Sequence, residues 1–156
     1  MRLPVFRVSG PARERGRQYG ALAREQIENS IRVYQKIFYH YANLTWDQVQ
    51  QRARAFIPII ESFDPEIMEE IRGVAMGCNH LVEDIVALNS RTELMYGITS
   101  QECTAIGAGG AATGGNGTII GQNWDWKKEL RNSCVVLEIV QPPRPTILMM
   151  TEAGIV

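Results

Sequence analysis

Histidine is scarce in this chain, with His40 and His80 the only two in 156 residues, so chemistry that relies on several imidazoles has little to draw on. Cysteine is nearly as rare. Cys78, Cys103 and Cys134 make an odd number, which argues against a disulfide framework and fits a reducing cytoplasm. No apolar run reaches the 18 residues of a membrane-spanning helix, and the opening Met1-Arg2-Leu3-Pro4-Val5-Phe6-Arg7 has no secretory apolar core. Charge of one sign is also missing. Sixteen basic against 17 acidic side chains leave a net charge of −1. The balance holds on both sides of residue 102, with 12 basic and 13 acidic before it and four of each after it. A nucleic-acid face or a polybasic membrane patch needs an excess that is not there.

What is present is 45% hydrophobic residues and 21% charged residues, the composition of a globular domain or part of one. Residues 11–41 read as one long helix, with Leu22, Ala23, Ile27, Ile31, Tyr34, Ile37, Phe38 and Tyr41 on one face. Gly16 and Gly20 are costly inside a helix, and close approach of another backbone would account for them. Thr45-Trp46-Asp47-Gln48 has capping-box spacing and opens a second helix over 45–62, which Pro58 should kink. Asp64-Pro65 starts a third over 66–76, ended by Gly77, and a fourth covers 82–89 and runs on towards Tyr96.

After Ser100 the pattern changes to strands: 104–108, then the tight turn Gly114-Gly115-Asn116-Gly117, then 118–123, 133–141 and 146–151. Helices followed by sequential antiparallel strands give an α+β chain with helices on one face of the sheet. The last residues, Ile147 to Val156, run into a further apolar segment, so the chain is expected to be the N-terminal part of a longer protein.

Several motifs carry less than they promise. Gly107-Ala108-Gly109-Gly110-Ala111-Ala112 has dinucleotide-loop spacing, but a turn follows it where a helix is required. Cys78-Asn79-His80 lacks further ligands at zinc spacing, and no metal is expected; it reads as a buried thiol beside a surface histidine. Cys134 is read as core and Glu69-Glu70 as a solvated helix face. Trp124 and Trp126 flank Asp125 and are equally well ordinary core aromatics.

Cys103 stands apart, at the helix-to-strand junction in Gln101-Glu102-Cys103-Thr104. A thiol becomes a strong nucleophile only when something takes its proton. Were the Glu102–Cys103 bond cut, Cys103 would carry its own α-amino group, whose pKa near 8 suits a general base.

Cys103-Thr104, then Gly121-Gln122-Asn123-Trp124-Asp125-Trp126, then Thr151-Glu152-Ala153-Gly154-Ile155-Val156, resemble the penicillin acyltransferase family. These are the acyl-CoA:6-aminopenicillanic acid (isopenicillin N) acyltransferases and their bacterial relatives, peptidase family C45, within the N-terminal nucleophile (Ntn) hydrolases. Gly10, Gly16 and Gly20 and Asn89-Ser90-Arg91-Thr92-Glu93 also resemble that family's helical part.

The resemblance implies an αββα sandwich, of which this chain holds the helical layer and the first antiparallel strands. It implies a precursor that cuts itself between Glu102 and Cys103, leaving 1–102 as a small helical subunit and 103–156 as the start of a β-rich one. Cys103 would form a thioester and pass the acyl group to an amine or water. Asp125 would orient the α-amino group, Thr104 would help position the junction, and one of Gln122 and Asn123 would face the site. Small-molecule acyl donors and amine acceptors are the implied partners, with acyl-CoA a candidate co-substrate and no resident cofactor. Glu102 replaces the glycine that precedes the family's nucleophile. The family's oxyanion-hole asparagine and site arginine lie beyond residue 156, so this chain alone is expected to be inactive. A second reading is a hydrolase of bile-salt-like or N-acyl-amino-acid amides, a group with arginine where Gln122 stands. A third is a non-catalytic helical interaction module.

Overall fold

The first element is one that the sequence pattern hid. A computed structural model, which describes residues 2–95 and 103–156, opens with strand β1 (Val5–Ser9). Five residues of mixed polarity give too little alternation to stand out. Helices α1 (Ala12–Leu22) and α2 (Arg24–Ala42) follow in place of the single helix expected over 11–41. They part at Ala23, whose φ of −102° and ψ of 20° turn the chain. The apolar stripe runs through Tyr19, Ala23 and Ile27 without interruption, so periodicity could not reveal the bend. Leu22 and Tyr41, placed on that apolar face, are 49% and 42% exposed.

Helix α3 (Trp46–Ala53) starts with the expected capping box: Gln48 N–H donates to Thr45 Oγ1, and Thr45 N–H donates to Gln48 Oε1. A single 3₁₀ turn leads to α4 (Ile57–Phe63), and Pro58 lies in its first turn, where a missing N–H does no harm. Asp64 caps α5 (Pro65–Cys78) through its side chain. This helix runs past Gly77, contrary to expectation, and Asn79 takes the left-handed closing position at φ 62°.

Gly77 is needed for packing instead. Gly16 and Gly20 on α1 press against the α5 backbone at Glu70, Val74 and Cys78, while Gly73 and Gly77 press against the α1 backbone at Arg13, Arg17 and Ala21. A Cβ at any of the four would overlap main-chain atoms. Helices α6 (Val82–Asn89) and α7 (Arg91–Leu94) complete the helical layer. Asp84 ties it together, accepting from Trp46 Nε1 and Gln50 Nε2 at 2.7 Å each and from the Leu81 amide at 3.0 Å.

Two sheets follow. Strands β2 (Thr104–Ala108) and β3 (Ile119–Asn123) form an antiparallel hairpin. Its connection holds Gly114, Gly115 and Gly117 at positive φ, so the glycine-rich stretch is a turn, as its context suggested. Strands β4 (Cys134–Val140) and β5 (Ile147–Glu152) pair antiparallel. The other neighbour of β4 is β1, in parallel, giving the order β1-β4-β5. The expectation of purely sequential antiparallel strands is therefore corrected, because the unassigned first strand supplies a parallel partner.

One face of the three-stranded sheet buries Val8, Val135, Leu137 and Ile139 against helix residues such as Tyr19, Ile27, Phe38 and Leu88. The other face leaves Val5, Leu148 and Met150 exposed. The chain is thus α+β with helices on one side of a small sheet. Among the described residues, no helix is long and apolar enough to cross a membrane.

Candidate functional site

Cys103 immediately precedes β2, exposed and free of any disulfide. The antiparallel register places Thr104 opposite Asn123, and Ala105 opposite Gln122. Side chains alternate along a strand. Asn123 therefore shares a face with Thr104, while Gln122 belongs to the opposite face. The hairpin end that starts at Cys103 is thus the end from which residues 124–126 leave β3. There Asn123 Nδ2 donates to Asp125 Oδ2 at 3.2 Å. The sequence-derived residues Cys103, Thr104, Asn123 and Asp125 lie at one end of one hairpin, where Thr104 and Asn123 share one face and Gln122 belongs to the other. Glu102 lies outside the described residues, and so does the segment 96–101 that leads into it.

Acyl transfer needs a nucleophile that can lose its proton and a group that orients the base. A free thiol just before β2, with an amide and a carboxylate that hold each other at the facing end of β3, supplies groups of these kinds. Among the described residues no cluster of His, Cys, Asp or Glu is arranged to hold a metal ion.

The surroundings differ from the sequence reading at Cys134 and Glu70, and the structure adds partners at His80 and Trp126. Cys134 is half-buried rather than core, and its Sγ lies 3.5 Å from the Leu130 carbonyl oxygen. His80 is partly exposed, and its Nε2 sits 2.8 Å from Glu28 Oε2. Glu70 is not solvated. It meets Arg15 at 2.6 Å, with both side chains about nine-tenths buried, because α1 and α5 approach so closely. Trp126 is half-buried, and its Nε1 donates to Tyr34 Oη at 3.0 Å.

That last bond leads to a cluster that sequence reasoning missed. Tyr34 Oη donates to Glu152 Oε2 at 2.7 Å, and Arg91 Nε lies 3.6 Å from the same oxygen. Glu152 is 1% exposed. Burial pushes its carboxyl pKa up from the ordinary value, with the Tyr34 hydrogen bond and the Arg91 charge pulling the other way. A single carboxylate closing an apolar strand, followed at once by Ala153-Gly154, was the available signal. The backbone after it is gripped from the helices. Ser30 Oγ donates to the Ala153 carbonyl at 2.7 Å, and Asn89 donates to the Gly154 carbonyl at 2.8 Å while accepting from the Val156 amide at 3.0 Å.

No family model matches the chain. A curated protein does: the acyl-coenzyme A:6-aminopenicillanic-acid acyltransferase, 40 kDa form, of Emericella nidulans, 33% identical over 149 residues. The match covers 94% of this chain, which spans 41% of that relative's length. Over nearly all of its own residues, this chain is therefore related in sequence to an acyltransferase of that kind.

Proposed function

We propose that Cys103 is the nucleophile of a thiol-dependent acyl-transfer enzyme of the N-terminal nucleophile type, uncovered when the protein cuts its own backbone between Glu102 and Cys103. The observation that carries this reading is the exposed Cys103 thiol at the head of β2, with the Asn123–Asp125 pair at the facing end of β3. Relatedness to an acyltransferase supports it. Residues 1–102 then form a helical part and 103–156 the opening of a β-rich part, held together without a covalent link. The helices covering one sheet face form half of the layered αββα arrangement that such a protein adopts.

In the self-cleavage step Cys103 Sγ attacks the Glu102 carbonyl and the peptide nitrogen leaves as the new α-amine. Water hydrolyses the resulting thioester, leaving a Glu102 carboxylate and a free Cys103 thiol. In turnover, the α-amine takes the thiol proton as sulfur attacks an acyl donor, an acyl thioester such as acyl-CoA or a small N-acyl compound. The donor's leaving group departs with that proton. An amine or water then attacks the thioester, and the sulfur leaves to be reprotonated. Asp125 accepts a hydrogen bond from the α-ammonium as it forms, which holds the amine in line with the sulfur. An enzyme working through a free thiol suits a reducing compartment, the cytoplasm.

The test is the intact mass and N-terminal sequence of the full-length protein. Two fragments, the second beginning at Cys103, are expected, with no cleavage and no acyl transfer in Cys103→Ala. A single uncut chain, with activity unchanged in Cys103→Ala, would refute the reading.

A further inference from the structure

Side chains from both sides of residue 102 meet in a chain of hydrogen bonds that runs from half-buried Trp126 to buried Glu152, and its direction is set by chemistry. An indole N–H can only donate, and a phenol has one hydrogen to give. Trp126 Nε1 therefore donates to Tyr34 Oη, and Tyr34 gives its own hydrogen to Glu152 Oε2. Arg91 closes the far end, 3.6 Å from that oxygen and with its guanidinium 5.9 Å from the centre of the Tyr34 ring. Hydrogen bonds linked in this way polarise and strengthen one another in a low-dielectric interior. Neither oxygen of Glu152 reaches solvent, and Oε1 has no hydrogen-bond partner among the described residues.

Trp126 follows Asp125 directly. Asp125 itself is exposed, and among the described residues its carboxylate makes one side-chain hydrogen bond, to Asn123. An exposed carboxylate with one neighbour has little to hold its backbone, whereas the next residue is fastened into the helical layer. The orientation of Asp125 is thus set one residue away.

We propose that Tyr34 and Glu152 are positioning residues for Asp125: through the Trp126 indole they fix the backbone that presents the Asp125 carboxylate at the Cys103 end of the hairpin. Neither touches the reacting atoms. The role rests on the reading of Cys103 and Asp125 given above. It requires a residue from before the junction, Tyr34, and one from after it, Glu152, to act as a unit.

The experiment is a double-mutant cycle in the full-length protein, read by the rate of cleavage before Cys103. Tyr34→Phe keeps the ring and removes the hydroxyl; a fall of roughly tenfold to a hundredfold is expected from misplacing a catalytic group. Asp125→Asn should slow cleavage at least as much, since the nitrogen that Asp125 holds as the α-amine in turnover is the one that leaves in the cut. The two together should be no slower than Asp125→Asn alone, because Tyr34 acts only through Asp125. Glu152→Gln, which still accepts from Tyr34, should retain most of the rate, whereas Glu152→Ala should not. The Trp126 indole N–H resonance should shift in Tyr34→Phe while those of Trp46 and Trp124 stay in place. If Tyr34→Phe fails to fold, Trp126→Phe takes its place in the cycle. A folded variant that cleaves at the wild-type rate, or losses that multiply with that of Asp125→Asn, would overturn the positioning role alone. Wild-type protein that never cleaves would overturn the Cys103 reading and this role with it.

Discussion

The main-chain amide of Gly154 donates a hydrogen bond to the hydroxyl of Tyr19 at 2.9 Å, across 135 residues of sequence. Tyr19 is 1% exposed, and Gly154 has a φ of 99° at a point where a Cβ would come within 2.5 Å of Leu88 Cδ1. The helical layer thus holds the backbone just past β5 by contacts that leave no room for a side chain. Tyr19→Phe keeps the ring but leaves a buried amide with no partner. The expected loss is about 1–3 kcal/mol, seen as a lower urea midpoint with an unchanged slope. An unchanged midpoint would mean that the bond contributes nothing.

The α1–α5 contact makes a sharper prediction. Gly73→Ala places a methyl group against the Arg13 carbonyl, a main-chain atom that cannot swing aside. The helices must separate, and overpacking of this kind costs about 3 kcal/mol. Gly107→Ala in β2 is the control, since no atom lies within 4 Å of its added Cβ. Thermal melts of the two variants should differ by many degrees, and similar melting temperatures would contradict the packing described.

The three thiols should be told apart by alkylation. Cys78 is buried, and burial pushes its pKa up to about 11. Burial also raises that of the half-buried Cys134. Cys103 is exposed. Iodoacetamide near neutral pH, followed by peptide mass mapping, should label Cys103 first and Cys78 last, by a margin of at least about tenfold given the small thiolate fraction of a buried thiol. Early labelling of Cys78 would count against the helical core.

Glu152 gives a pH prediction with a definite sign. Its carboxyl pKa is raised on folding, so between the ordinary carboxylate value and the raised one the folded chain binds more protons than the unfolded chain. Stability from this group is present below the unfolded value, near 4.3, and falls as pH rises through the folded one. The groups facing it are Tyr34 and Arg91 from the helices, Cys134 across the strand pair, and Lys127, Lys128 and Arg131, which line a shared cavity of about 190 Å³. Tyr19 lies close enough for the carboxylate charge to act on it. Wild type minus Glu152→Gln, measured by urea unfolding at a series of pH values, should decline as pH rises above 4. A flat or rising difference would show that Arg91 outweighs the cost of burial.

The local signals in the sequence were legible where a single residue decides the outcome. Thr45 and Asp64 begin helices because their side chains accept the first free amides. The glycines from 114 to 117 turn the chain because they tolerate positive φ. Gly16 and Gly20 announced a close approach that the structure contains, though their partners Gly73 and Gly77 were not recognised as the other half. What escaped depends on distant partners. The strand β1 is defined by β4, the bend at Ala23 by the different neighbours of α1 and α2, and the burial of Glu70 and Glu152 by helices packed over them. At the candidate site, sequence alone named Cys103, Asn123 and Asp125. It gave no hint that a tryptophan beside Asp125 is bonded to a tyrosine in the second helix.

The parallel pairing of β1 with β4 also bears on how the chain is made. Val5 finds its partner at Val136, so at a synthesis rate of about 5–20 residues per second the first strand waits on the order of ten seconds for its neighbour to be translated. Throughout that interval Val5, Phe6 and Val8 lack their sheet partner in the nascent polypeptide, and closing so long a loop is slow. The ribosome-bound intermediate therefore offers an apolar segment to chaperones well before the sheet can form.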